Sequence, residues 1–145
     1  MTKPAHDSAS RKPPAIEIRP ARRGELPAIR ELVRIYPDKL MYEDLPGLRS
    51  FVVAVVGGRI IGCCALQVYS RRLAEVRSLA VHPDFAAQGV GRRLVERCQQ
   101  MARARRIKQI LAVSSALGFF ERLGFSTFLR ERNALFYDVP RKQQP

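Results

Sequence analysis

Hydrophobic and polar positions along the chain switch between two periods. "AIEIRPA" (Ala15 to Ala21) alternates at period two and predicts a first strand. Gly24 to Tyr36 spaces Leu26, Ile29, Leu32, Val33 and Tyr36 at helical intervals, and Pro27 falls in the first turn, where its missing N–H costs little. "YPDKLMYEDLPGLRS" holds two prolines and predicts an irregular or short-helical connection. "FVVAVVGGRIIGCCALQVY" predicts two strands joined at Gly57-Gly58, and "RLAEVRSLAV" a third in succession. Val90, Leu94, Val95, Cys98, Met101 and Ala102 then form one face of a helix ending near Arg105 or Arg106. "IKQILAV" predicts a strand, "SALGFFERLGF" a short helix closed by Gly124, and "ALFYDV" a last strand.

This order predicts an α/β fold: a mixed, largely antiparallel sheet with helices on both faces. The strand–helix–strand passage around Gly89 needs a crossover, which makes the neighbouring strands parallel there. A chain of 145 residues has room for one domain with a real core. The expected organisation is a disordered N-terminal segment (1–15), one domain (16–139) and a C-terminal tail (140–145). No internal repeat is visible.

Composition narrows the chemistry. No apolar run approaches the roughly 20 residues that span a bilayer. "MTKPAHDSASRKPPA" is polar, contains proline and lacks the apolar stretch of a secretory signal. Cys63 and Cys64 are adjacent and Cys98 stands alone, an odd number without metal-ligand spacing. Buried thiols in a reducing, cytoplasmic setting follow, and no metal is expected. Net charge is +13 with a pI near 10.8. That balance suits anionic partners, or a solvated surface that keeps the protein soluble.

The stretch "VRSLAVHPDFAAQGVGRRLVERC" (Val76 to Cys98) carries the sharpest question. Amides of a glycine-rich turn can converge, and the helix that follows adds its unpaired N–H groups and positive end. Together they form an anion cradle that needs no particular side chain. The lysine and hydroxyl of a nucleotide P-loop are missing, as is the third glycine of the dinucleotide fingerprint. A simple turn remains the alternative.

Followed by "SSALGFFERLGF", this stretch resembles the acetyl-coenzyme A-binding core of the GNAT N-acetyltransferases. The resemblance runs from about Ile16 to Val139, and "GCCALQVY", "AEVRSLAVHPDF" and "FFERLGF" are most similar to the short N-acetylglutamate-synthase-type group. It implies acetyl-coenzyme A as co-substrate. Main-chain groups of Leu79, Ala80 and Val81 would hold the pantetheine arm like an added strand, and Gln88, Gly89, Val90, Gly91 and Arg92 would wrap the pyrophosphate. Phe119 is a further candidate for the cofactor site, although Phe119 and Phe120 also read as core residues at helical spacing. Ala86 stands where the family usually has Arg or Gln, so one side-chain contact is lost while the amides survive.

Transfer to an amine needs a base, because an ammonium group with pKa about 10 must lose a proton before it attacks. It also needs charge stabilisation on the thioester oxygen. Glu75 and Arg77 share one face of an extended strand, about 6.5–7 Å apart. That spacing suits a base beside an anchor for an acidic substrate, and equally suits pairing with charges on neighbouring strands. The resemblance implies Glu75 as base through ordered water, with a backbone amide near Leu79 or Ala80 facing the oxyanion. Many family members protonate the departing thiolate from a tyrosine, where this chain has Phe120. Solvent or a hydroxyl of Ser114 or Ser115 is left for that task, with Ser115 the catalytic candidate.

For the acceptor, Arg77 and Tyr42 are the candidate contacts, with Arg130 and Arg132 as further cations. A dicarboxylate such as glutamate would suit Arg77. The chain reads Ser114-Ser115-Ala116 where the glutamate-forming group commonly has hydroxyls followed by arginine, and the acidity of Glu43 and Asp44 suits a cationic amine. The resulting expectation is a small amine acceptor, an amino acid such as glutamate first. The rivals are acetylation of a protein N-terminus or lysine, and a non-catalytic coenzyme A- or nucleic-acid-binding module. No nucleic-acid-reading motif is present. The family's dimers make a homodimer compatible with the sequence.

Overall fold

The sheet in the computed structural model, which describes residues 14–38, 40, 44–127 and 135–140, begins with β1 (Glu17–Pro20). Helix α1 (Leu26–Arg34) follows, with its proline at the entry, and buries Ile29, Leu32 and Val33. Its apolar stripe is the one that the helical spacing predicts. Glu25, at its start, binds the strand before it. The carboxylate accepts from both terminal nitrogens of Arg19 (2.6 and 3.0 Å) and from the Arg22 amide at 2.6 Å. The Arg19 guanidinium holds the Glu25 carboxyl below its ordinary range, with the Arg22 amide acting in the same direction.

A short 3₁₀ turn (Leu48–Ser50) leads into β2 (Phe51–Val56), and β3 (Arg59–Val68) returns antiparallel to it. The turn between them places Gly57 and Gly58 at φ 54° and 78°. Such a two-residue turn demands these left-handed values, so the Gly-Gly pair fixes the hairpin. Then comes β4 (Leu73–Val81), antiparallel to β3. After it, α2 (Val90–Ala104) crosses to β5 (Gln109–Ala112), which lies parallel to β4. The spatial order β1-β2-β3-β4-β5 is the sequence order. The expected mixed sheet with one parallel crossover is therefore formed.

Strand alternation sorts the core onto two faces. Phe51, Val53, Val55, Cys63, Ala65 and Ala80 pack with Ile29, Leu32 and Val33 of α1. On the opposite face, α2 buries Val90, Leu94, Val95, Cys98 and Ala102. A Cβ on Gly62 would lie 3.0 Å from Leu94 and 3.1 Å from Val90, so the absence of a side chain lets α2 seat closely. Cys64 and Cys98 meet across this face at 3.7 Å between sulfurs. All three cysteines are free and buried, and burial pushes the Cys63 thiol up to about 12.

The chain divides into two units, residues 1–114 and 115–145. In the second, α3 (Leu117–Glu121) closes at Gly124, whose φ is 90°. Phe120 stacks edge-on against Phe119 and Phe125, at 5.0 and 5.2 Å between ring centres. The expected last strand is not formed. Residues 135–140 have no regular structure, and Leu135, Phe136, Tyr137 and Val139 are exposed. A period-two apolar pattern becomes a strand only when a ladder partner takes its backbone groups. No such partner is seen among the described residues.

Candidate active site

Two ladders flank β4, and they differ in length. Its pairing with β3 extends to Val81, opposite Gly62, whereas its pairing with β5 ends at Val76, opposite Ala112. From Arg77 to Val81 the edge of β4 on the β5 side has no strand partner among the described residues. A backbone edge left open this way accepts an extended ligand as it would a strand.

The open stretch begins at an irregularity. Ser78 has φ 55°, rare for a residue with a side chain, and the β3–β4 register shifts between Cys63 and Ala65. Cys63 locks this bulge. Its thiol donates to the Ser78 carbonyl at 3.3 Å, and its sulfur accepts from the Ala80 amide. The Ala80 N–H is thus turned toward β3. Amide direction alternates along an extended chain, which would turn the Leu79 N–H toward the open edge. The Val81 carbonyl accepts from the Tyr36 hydroxyl at 2.5 Å.

Beyond Val81 a 3₁₀ turn (Pro83–Phe85) is held by the Asp84 amide donating to His82 Nδ1 at 3.2 Å. The chain then passes through two left-handed residues, Ala87 (φ 59°) and Gly89 (φ 75°), and enters α2 with Gly89 at its cap. The Arg93 amide makes the first helical bond, to Gly89 at 3.1 Å. The amides of Gln88, Gly89, Val90, Gly91 and Arg92 meet no backbone carbonyl among the described residues. They form a set of free donors at the positive end of a four-turn helix. The arginine side chains are engaged elsewhere. Arg92 Nε pairs with Glu96 at 2.8 Å, and Arg93 donates to the Ile16 carbonyl at 2.9 Å.

Toward the amino end of β4, side chains dominate. Gln67 lies opposite Glu75 and Ala65 opposite Arg77, so these four residues share the α1 face of the sheet. Arg77 donates to Gln67 Oε1 at 2.6 Å and to the Asp44 carbonyl at 3.2 Å, with the Asp44 carboxylate at 3.8 Å. Glu75 accepts from the Tyr69 hydroxyl at 2.5 Å. That hydrogen bond raises the Tyr69 hydroxyl above its ordinary range, with burial acting in the same direction. Glu75 and Arg77 therefore stand side by side, Arg77 held by Gln67 on β3 and Glu75 by Tyr69, the residue that follows that strand. Gln67 and Tyr69 were not singled out in the sequence. Their period-two spacing after Ala65 was the available signal.

Ser115 is exposed in the bend before α3, and Phe119 is half-buried on α3, both within the second unit. Tyr42, Glu43, Arg130 and Arg132 lie outside the described residues. A separate groove of about 470 Å³ runs beside α1, lined in part by Glu31, Arg59 and His82, and includes neither Glu75 nor the Gln88–Arg92 amides. Among the described residues no cluster of three or more His, Cys, Asp or Glu could hold a metal ion, and no helix is long and apolar enough to cross a membrane.

Comparison with known proteins meets this geometry directly. The model of the acetyltransferase (GNAT) domain matches residues 47–127. An amino-acid acetyltransferase of Mycobacterium tuberculosis is 32% identical over 117 residues, covering 75% of this chain and 67% of the relative. An uncharacterised N-acetyltransferase of Chlorobaculum tepidum is 38% identical over 84 residues, 58% of this chain and 54% of the relative. The chain thus spans about half to two thirds of the length of these relatives. Among solved structures, a Mycobacterium tuberculosis protein in complex with CoA and NLQ superposes with a TM-score of 0.68 at 32% identity, covering 74% of this chain and 70% of that one. The N-acetylglutamate synthase of Neisseria gonorrhoeae, in complex with coenzyme A and N-acetyl-glutamate, gives 0.66 at 28% identity over 77% of this chain and 28% of that one. With the family model matching more than half of the chain, and the mycobacterial relative agreeing, the chain belongs to the GNAT family of acetyltransferases.

Proposed function

We propose that this chain transfers the acetyl group of acetyl-coenzyme A directly to the amine of an amino acid, glutamate first among candidates, in a ternary complex. The observation that carries the reading is the unequal length of the two β4 ladders. It leaves Arg77 to Val81 open as a slot for the pantetheine arm, in line with the free amides from Gln88 to Arg92. The diphosphate would rest on those amides, in the favourable field of the α2 N-terminus.

In the chemical step the Glu75 carboxylate takes a proton from the acceptor ammonium, directly or through water. The freed amine attacks the thioester carbonyl carbon. The Leu79 N–H faces the oxygen that becomes negative. Collapse breaks the carbon–sulfur bond, the thiolate leaves with the bonding electrons, and the nitrogen of the new amide gives up its second proton to solvent. Its proton comes from solvent or from Ser114 or Ser115, because Phe120 has no proton to give. Arg77 would bind an acceptor carboxylate. Supporting the amino-acid acceptor are the mycobacterial relative's name and the acetylated glutamate in the Neisseria complex. A second reading, a cationic amine acceptor, draws on the Asp44 carboxylate, which already partly neutralises Arg77.

Release of coenzyme A from acetyl-coenzyme A across amino acids, polyamines and peptides separates these. The expected result is a clear response to glutamate and none to spermidine; the reverse would overturn the amino-acid assignment, and a response to peptides alone would favour protein acetylation. In the same assay Glu75→Gln is expected to lower turnover by roughly 10²–10⁴-fold, the usual span for losing a general base, with coenzyme A affinity retained. A variant with near-normal turnover removes Glu75 from the chemistry.

A further inference from the structure

We propose that Tyr69 is a positioning residue for acetyl transfer: its hydroxyl pins one oxygen of the Glu75 carboxylate and leaves the other directed to the acceptor amine. This rests on the reading of Glu75 as the base. Tyr69 immediately follows Val68, the last β3 residue paired with β4 (opposite Ala74), and its backbone is fixed there. Its own amide and that of Ser70 both donate to the Leu73 carbonyl, at 3.0 and 3.1 Å. The side chain therefore leaves the sheet from a rigid corner, on the face that carries Gln67, Glu75 and Arg77.

From that corner the hydroxyl reaches Glu75 Oε2 at 2.5 Å, a charge-assisted contact of the strong, oriented kind. No other hydrogen-bond partner of the Glu75 carboxylate is found among the described residues, so Oε1 is the oxygen left to accept a proton. The ring is 52% exposed. Core packing does not account for Tyr69, and its polar end is the part with a defined partner. The charged and polar groups facing the pair are Arg77, the Asp44 carboxylate and Gln67. Arg77 is itself drawn toward Gln67 and Asp44. Tyr69 is thus the group that sets the direction of Glu75. Its bond to Glu75 keeps the hydroxyl protonated, and so a donor, through the neutral range.

The test is Tyr69→Phe in the full chain, assayed with the panel amine that gives the fastest release of coenzyme A. The turnover number is expected to fall about tenfold, the size of one hydrogen bond to a charged group, with the KM for acetyl-coenzyme A unchanged. A Tyr69→Phe protein whose turnover number superposes on that of the unmodified chain overturns the proposal. Glu75→Gln measured alongside separates the two ideas. If that variant is inactive while Tyr69→Phe is normal, only the positioning role fails. If Glu75→Gln is active, the base assignment fails with it.

Discussion

The two ends of β4 solve different problems with different parts of the polypeptide. At the carboxyl end, from Leu79 into α2, the working groups are amides, and the nearby arginines are occupied by Glu96 and the Ile16 carbonyl. At the amino end the proposed working groups are side chains, Glu75 and Arg77, held by Tyr69, just beyond β3, and by Gln67 on it. The lesson is about what each end tolerates. A cradle of amides survives side-chain replacement and fails when the backbone is displaced. A side-chain pair behaves the other way round. On the proposed reading, Ala86 removes one side-chain contact and leaves the amides from Gln88 to Arg92 in place.

Substitutions can break or sharpen that contrast. After the loss of turnover expected of Glu75→Gln, the next largest effect is expected from Arg77→Ala, at the side-chain end. Losing a charge-assisted contact to an acceptor carboxylate, roughly 1.5–3 kcal/mol, should raise the acceptor KM about 10- to 100-fold and leave coenzyme A affinity unaltered. An unchanged KM would take Arg77 out of the acceptor site. Gly62→Ala probes the backbone end from beneath. The new methyl would press on Leu94 and Val90 at 3.0 and 3.1 Å and push the first turns of α2 outward. A loss of about 1–3 kcal/mol in stability is expected, read in denaturant melts, together with weakened coenzyme A binding and an unchanged acceptor KM. A larger effect on the acceptor than on coenzyme A would blur the division between the ends. Arg92→Ala should be the mildest. Its exposed ion pair with Glu96 contributes about 0.3–0.5 kcal/mol, and coenzyme A affinity should change by less than about twofold. A severe loss would show that the guanidinium, and not the amide, holds the phosphates.

Legibility in the sequence follows the same division. Elements set by local rules were readable: the β2–β3 hairpin because Gly57-Gly58 permits one turn, α1 and α2 because their apolar stripes repeat at helical spacing. Gly89 announced a left-handed residue. Ser78 did not, since nothing local requires φ 55° there and the bulge is held by Cys63 on another strand. The opening of the cofactor slot was equally hidden. It is a difference between two ladder lengths, and β5 gives no local sign that its pairing stops at Ala112. "ALFYDV" shows the opposite failure, an alternating pattern that has no ladder partner among the described residues. In the site, Glu75 and Arg77 were legible as a same-face pair. Their diagonal partners Tyr69 and Gln67 depend on the β3–β4 register, which spacing within one strand cannot supply. The Arg92–Glu96 ion pair was legible as well, because Glu96 stands four residues on.

Main-chain capture of the co-substrate is tested most directly by following backbone amide resonances while coenzyme A is added to the full chain. Leu79 and the amides from Gln88 to Arg92 should shift together and saturate at one equivalent, with Tyr69 and Gln67 little affected. Saturable binding that leaves those amides unmoved, or no binding, would contradict the account.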